Sequence, residues 1–143
     1  MDTMKPHTFT DKNGKVLILK RLPIDRKAYG GFQYPTGVGS QVEAPDWNET
    51  SKCGGGLHGW PFSFGLGEGS DYELGDVWLV LAADPSEVVG ELDGGWKCKC
   101  KKATIVYDGD FKGAMDMLRP LFSDCVKAMC SSGNSANNAS SGY

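Results

Sequence analysis

Seven consecutive apolar residues, Val77-Trp78-Leu79-Val80-Leu81-Ala82-Ala83, set the tightest limit on how this chain folds. Asp76 precedes the run and Asp84-Pro85 ends it, which leaves the length of a strand rather than of a helix. Val16-Leu17-Ile18-Leu19 is a second continuous apolar run and reads as a strand buried on both faces. Before it, Thr8-Phe9-Thr10 leads into Asp11-Lys12-Asn13-Gly14. Asn-Gly supplies the positive φ angles of a tight turn, so residues 8–20 are expected to form a hairpin.

Further short elements follow. Glu87 to Leu92 reads as a short strand and Asp93-Gly94-Gly95 as a turn. Trp96 to Tyr107 alternates, with Trp96, Cys98 and Cys100 on one face and Lys97, Lys99 and Lys101 on the other. A bulge is expected near Lys102-Ala103, and the lysine face reads as the solvated side of an edge strand. Only the end is helical in pattern. Phe111, Ala114, Met115, Leu118, Leu121, Phe122, Cys125 and Met129 recur at helical spacing, with Asp108 or Asp110 as cap. Pro120 is expected to kink or split this helix. The pattern predicts an α+β fold: a mostly antiparallel sheet with a C-terminal helical segment packed on it. A single globular domain is expected over residues 1–130. The Ser/Asn/Gly-rich stretch 131–143 has no charge and one aromatic, and is expected to be a flexible tail.

Composition narrows the function classes. Fifteen Lys and Arg against eighteen Asp and Glu give a formal net charge of −3, without the basic field that long nucleic acids require. No apolar run approaches the ~18 residues of a membrane span, and no secretory leader is legible, so a cytoplasmic location is expected. The five cysteines then read as reduced thiols. Glycine is the outlier, with 20 of 143 residues, about twice the usual share of roughly 7%. The densest glycine lies in residues 48–75, which read as one long loop.

Within that stretch, Cys53-Gly54-Gly55-Gly56-Leu57-His58-Gly59-Trp60-Pro61 is the first candidate site. Glycines at 54, 55 and 56 clear the path of a ligand and leave backbone N–H groups to receive a phosphate. His58 can hydrogen-bond a ribose or phosphate, or act in acid–base chemistry. Trp60, Phe32 and Tyr34 can stack on a base, and Lys97 or Lys99 can meet phosphate. The competing interpretation is a glycine-rich connection whose histidine serves backbone groups. Cys53, His58, Cys98 and Cys100 offer four soft ligands, but C-x₄-H and C-x-C do not match zinc spacing, and small buried thiols account for them more simply. No metal site and no bound cofactor are expected. Gly65-Leu66-Gly67-Glu68-Gly69 does not match a dinucleotide fingerprint.

Tyr29-Gly30-Gly31-Phe32-Gln33-Tyr34-Pro35, Val42-Glu43-Ala44-Pro45-Asp46-Trp47 and Cys53 to Trp60 together resemble a group of small uncharacterised phage and prophage proteins over about residues 16–118. The resemblance implies a mobile-element source, in the cytoplasm of an infected bacterial host, and supplies no activity. His58-Gly59 also resembles the His-Gly pair of the ADP-ribosyltransferase superfamily, which lies near the ribose of NAD. No catalytic Glu can be matched and no strand-forming run precedes His58. The expectation is an accessory protein that binds, and in an anti-defence role sequesters, a nucleotide-like or NAD-derived molecule such as a host immune signal. Two alternatives stand beside it. One is an NAD- or nucleotide-processing enzyme using His58 with Glu68, Asp71 or Glu73. The other is a protein-interaction inhibitor of a host factor. Homo-oligomerisation is compatible with either, though no motif points to it.

Overall fold

The structure is a computed structural model that describes residues 4–68 and 71–137, with side chains described as far as Ser131. Among the described residues seven strands form one antiparallel sheet. They are β1 (Val16–Leu22), β2 (Gln41–Glu43), β3 (Leu57–Pro61), β4 (Val77–Ala83), β5 (Val88–Val89), β6 (Cys98–Cys100) and β7 (Lys102–Gly109). One helix, α1 (Phe111–Asn137), follows and packs on β4 and β7. The fold is thus α+β, as the sequence pattern predicts.

The strand order is β2-β7-β4-β1-β3-β6-β5. β6 and β7 stand four places apart in it, yet only Lys101 separates them in the chain. One residue spans at most ~3.6 Å, whereas four strand spacings of roughly 4.8 Å come to about 19 Å. The sheet therefore curls until both ends meet on one bent strand. Lys101 is the corner: its N–H donates to Glu87 O (3.1 Å) and its carbonyl accepts from Ala44 N (2.8 Å). The circuit β7-β4-β1-β3-β6 begins and ends on the same length of chain, so the sheet closes on itself.

The two runs that dominate the sequence are adjacent strands of this circuit, β1 and β4. β1 pairs with β4 at every position from Val16↔Ala83 to Leu22↔Val77. Val16, Ile18, Leu19, Leu22, Leu79, Val80 and Leu81 are fully buried. α1 lays Phe111 against Trp78, with ring centroids 4.7 Å apart, and Phe122 against Phe64 at 4.4 Å. Ala114, Leu118 and Cys125 are sealed beneath it. Burying a side chain such as Leu118 contributes about 1.5–3 kcal/mol. Asp110 caps the helix, its carboxylate accepting from Gly113 N at 2.9 Å. Asp108 has a different task. It binds Arg26 at 2.7 Å and accepts from Gly37 N, which fastens the segment between β1 and β2 onto β7. Burial pushes the Asp108 carboxyl up, but the Arg26 hydrogen bond, the Gly37 N–H and the guanidinium charge outweigh this and hold it below its ordinary value.

Four sequence expectations are corrected. The hairpin over residues 8–20 does not form. Asp11 and Gly14 do make a turn, with Gly14 at φ 76°, but both edges of β1 are taken by β4 and β3, and residues 6–8 wind into a 3-10 turn. The region 48–75 is not one loop, because Leu57–Pro61 is a strand inside the sheet. The lysine face of 97–101 is not the solvated side of an edge strand: β6 lies between β3 and β5, and Lys99 is fully buried. Finally, α1 is not split. It runs through Pro120 to Asn137, so it includes the start of the expected tail, while residues 138–143 lie outside the described residues. Pro120 is exposed, where water can serve the Asp116 carbonyl that the proline cannot.

Candidate functional site

The weak place in the circuit is the contact between β1 and β3. They pair at only two positions, Ile18↔Pro61 and Leu19↔Trp60. Beyond these, β1 carries on along β4 and β3 carries on along β6. The two strands part at Lys20 and Gly59, and a small cavity opens between them, lined by Lys20, Arg21, His58, Gly59, Trp60 and Lys97. No side chain fits at position 59 itself, since a Cβ there would meet Ile18 Cγ2 at 2.4 Å and Leu19 O at 2.5 Å.

Two larger cavities share Lys20 and His58 with this one. The first, of about 720 Å³, adds Pro23, Lys27, Ala28, Tyr29, Cys53 and Gly54. The second, of about 330 Å³, is walled by Phe32, Tyr34, Pro45, Asp46, Gly54, Gly55 and Gly56. Such volumes are in the range of small-molecule sites, roughly 300–1,000 Å³. The mouth is basic, with Lys20, Arg21, Lys27 and Lys97 around it and Asp46 as the acid on its wall. Arg21 also pairs with Asp76 at 3.5 Å and donates to the Asp71 carbonyl. Lys20 lies over the ring of the buried Tyr34, 5.6 Å from its centroid, an arrangement that keeps a cation beside an aromatic face.

His58 is half-buried on β3, and its Nε2 accepts from Gly54 N at 2.9 Å. A neutral imidazole that accepts at Nε2 carries its proton on Nδ1. Burial, then the charges of Lys20, Lys97 and Lys99, hold its pKa down to about 4 against a smaller opposing pull from Asp46. At neutral pH His58 is therefore an uncharged hydrogen-bond donor through Nδ1. Burial, followed by the charges of Lys97 and Arg21, also lowers Lys20, to about 8. A large part of its population is then a neutral amine near that pH.

Lys99 plays a different part. It is fully buried, and its Nζ donates to Asn48 Oδ1 (2.9 Å), Lys52 O (3.1 Å) and Gly54 O (2.8 Å), with the Trp47 ring 5.8 Å away. All three donors are used, so Lys99 holds the 48–56 loop against the sheet rather than presenting an ammonium to the cleft. The glycines belong to that arrangement: a Cβ at Gly56 would lie 3.1 Å from both Lys99 Cβ and Trp47. Gly54 turns its N–H to His58 and its carbonyl to Lys99.

The expected residues thus separate into two groups. His58, Phe32, Tyr34, Lys97 and Gly54 to Gly56 come together on the cleft wall. Trp60 borders only the small cavity. Its ring is buried against Trp78, and its indole N–H donates to Glu68 O at 3.2 Å. Among the acids considered with His58, the Glu68 carboxylate accepts from Trp96 N and Lys97 N at 2.6 and 2.9 Å, which fixes the entry to β6. Glu73 N donates to Asp76 in a turn leading into β4. Cys98 and Cys100 are buried thiols, both raised by burial, Cys100 to about 12, while Cys53 is exposed at the cleft. No three His, Cys, Asp or Glu side chains among the described residues come together as a metal site. Sequence reasoning missed Lys20, Arg21, Lys27, Tyr29 and Asp46 as cleft residues. A lysine directly after a buried run, Val16 to Leu19, was the available signal, because a strand that stays paired has to take that lysine with it.

No family model matches the chain, and no curated protein or solved structure matches it either.

Proposed function

We propose that this protein binds a small, phosphate-bearing ligand with an aromatic ring, of the nucleotide or NAD-derived kind, in the cleft between β1 and β3. The observation that carries the proposal is the composition of one concavity. Lys20, Lys27 and Lys97 supply positive charge at its mouth, and Tyr29 and Phe32, backed by the buried Tyr34, supply flat apolar surface beside it. An anion gains from the cations, a base gains from stacking, and His58 Nδ1–H is a donor for a ribose or phosphate oxygen. Binding is favoured over NAD processing because His58 stays neutral and already engages Gly54, while Glu68 is committed to two backbone N–H groups. Sequestration of a nucleotide signal by a phage-type accessory protein is the role that joins this chemistry to the sequence resemblance.

Titration calorimetry against NAD, ADP-ribose and a set of cyclic nucleotides tests the proposal. Binding by at least one is expected, weakened about tenfold or more in Lys97→Glu, which reverses a charge at the mouth. Absence of heat with every member overturns it. Recovery of the ligand unchanged by chromatography separates binding from processing.

A further inference from the structure

We propose that Lys20 is a carbonyl-reactive amine, and that the cleft takes phosphate-bearing aldehydes or ketones, including the open-chain form of a reducing sugar phosphate, as a reversible Schiff base. The inference rests on the anion-binding reading of the cleft and names the reactive group within it.

Three geometric facts support it. Lys20 is the residue at which β1 leaves β3, and it lines all three cavities of the cleft. Its described contact at Nζ is the Tyr34 ring, with no carboxylate or carbonyl bound to it among the described residues. Finally, it stands among other cations. Arg21 follows it on β1, Lys97 leads into β6, and Lys27 lines the large cavity. Lys99 shows the contrast, since its three hydrogen bonds fix it as an ammonium. A lysine crowded by cations and withdrawn from water is the environment that frees an amine for attack on a carbonyl.

Other titratable groups around Lys20 are His58 on β3, Cys100 on β6, and Tyr29, Tyr34, Asp46 and Cys53 from the segment between β1 and β3. Burial keeps Tyr34 and Cys100 protonated near pH 8, and His58 is neutral at that pH. In the reaction the neutral Lys20 nitrogen adds to the carbonyl carbon. The C=O bond is replaced by C=N, and the oxygen leaves as water with the two amine protons. No electrons are gained or lost, and hydrolysis reverses the step.

Pyridoxal 5′-phosphate, which joins an aldehyde to a phosphate, is the probe. The whole chain is incubated with a substoichiometric amount, reduced with borohydride, and mapped by peptide mass spectrometry. The expected result is a single pyridoxyl group on Lys20, suppressed by inorganic phosphate, with a labelling rate that climbs through about pH 8. Lys20→Arg keeps the charge and cannot form the imine, and is expected to lose the label while retaining its thermal melt. Label spread evenly over the other lysines, or an unlabelled Lys20 in the folded protein, overturns the proposal. An unlabelled Lys20 with nucleotide binding intact leaves the binding function standing. A labelled Lys20 with no heat from any nucleotide removes the nucleotide reading and keeps the amine chemistry.

Discussion

The two edges of β1 are built differently. Its β4 edge is paired along the whole strand and backed by α1, whereas its β3 edge is paired at two positions and then opens. Trp78, Leu79, Val80 and Leu81 on the first side are fully buried and serve packing alone. Lys20, His58 and Lys97 on the second side are charged or polar and border a cleft. Closing a sheet through one bent strand leaves a seam where register runs out, and polar chemistry collects there because water and ligands can reach it.

This contrast can be broken at several points. The largest effect is expected on the ladder side. Trp78→Ala empties a site packed by Trp60, Tyr72 and Phe111, and should cost about 3–5 kcal/mol in chemical denaturation, close to unfolding a domain of this size. A cost below about 1 kcal/mol would mean that α1 does not stabilise the ladder.

An intermediate effect is expected from the loop behind the seam. Lys99→Met removes three hydrogen bonds and should cost about 1–3 kcal/mol, with faster amide exchange at Gly54 and in its neighbours. Unchanged exchange would show that the 48–56 loop is held by something other than Lys99.

The smallest effect is expected at the seam itself. Lys20 is a cation whose pKa is lowered on folding, to about 8 from an ordinary value of roughly 10.4. Below about pH 8 it is charged in both states and the folded protein carries the full penalty. Between about pH 8 and 10.4 the unfolded chain binds more protons, so Lys20 makes stability rise with pH. Lys20→Met should therefore match or slightly exceed the parent in stability at pH 7, and it should lack that alkaline rise. A clear loss of stability at pH 7 would show that Lys20 supports the fold rather than the cleft.

Much of the fold was legible because it rests on local pattern. The apolar runs at 16–19 and 77–83 became the paired strands β1 and β4, and the helical spacing after Asp110 became α1. The hairpin was misread because Asn13-Gly14 specifies a turn without specifying what pairs after it. Lys99 was misread because alternation assigns a residue to a face, and whether that face is wet depends on what covers it. Here the 48–56 loop covers it and supplies three oxygens. Trp60 was misread in the opposite direction, as an exposed stacking ring, because nothing in its neighbours says that Trp78 will lie against it.

By itself the sequence determined that the runs at 16–19 and 77–83 are strands, where the helix begins, and that glycine and aromatic side chains gather near His58. Those properties follow from side-chain periodicity and backbone freedom, which are local. Only the tertiary structure decided that the sheet curls shut at Lys101, that β1 and β3 part at Lys20, and that Lys20 rather than Lys99 faces the cleft. Those outcomes depend on pairings between residues far apart in the chain, from Ala82↔Thr104 to Val16↔Ala83, whose register no short stretch of chain contains.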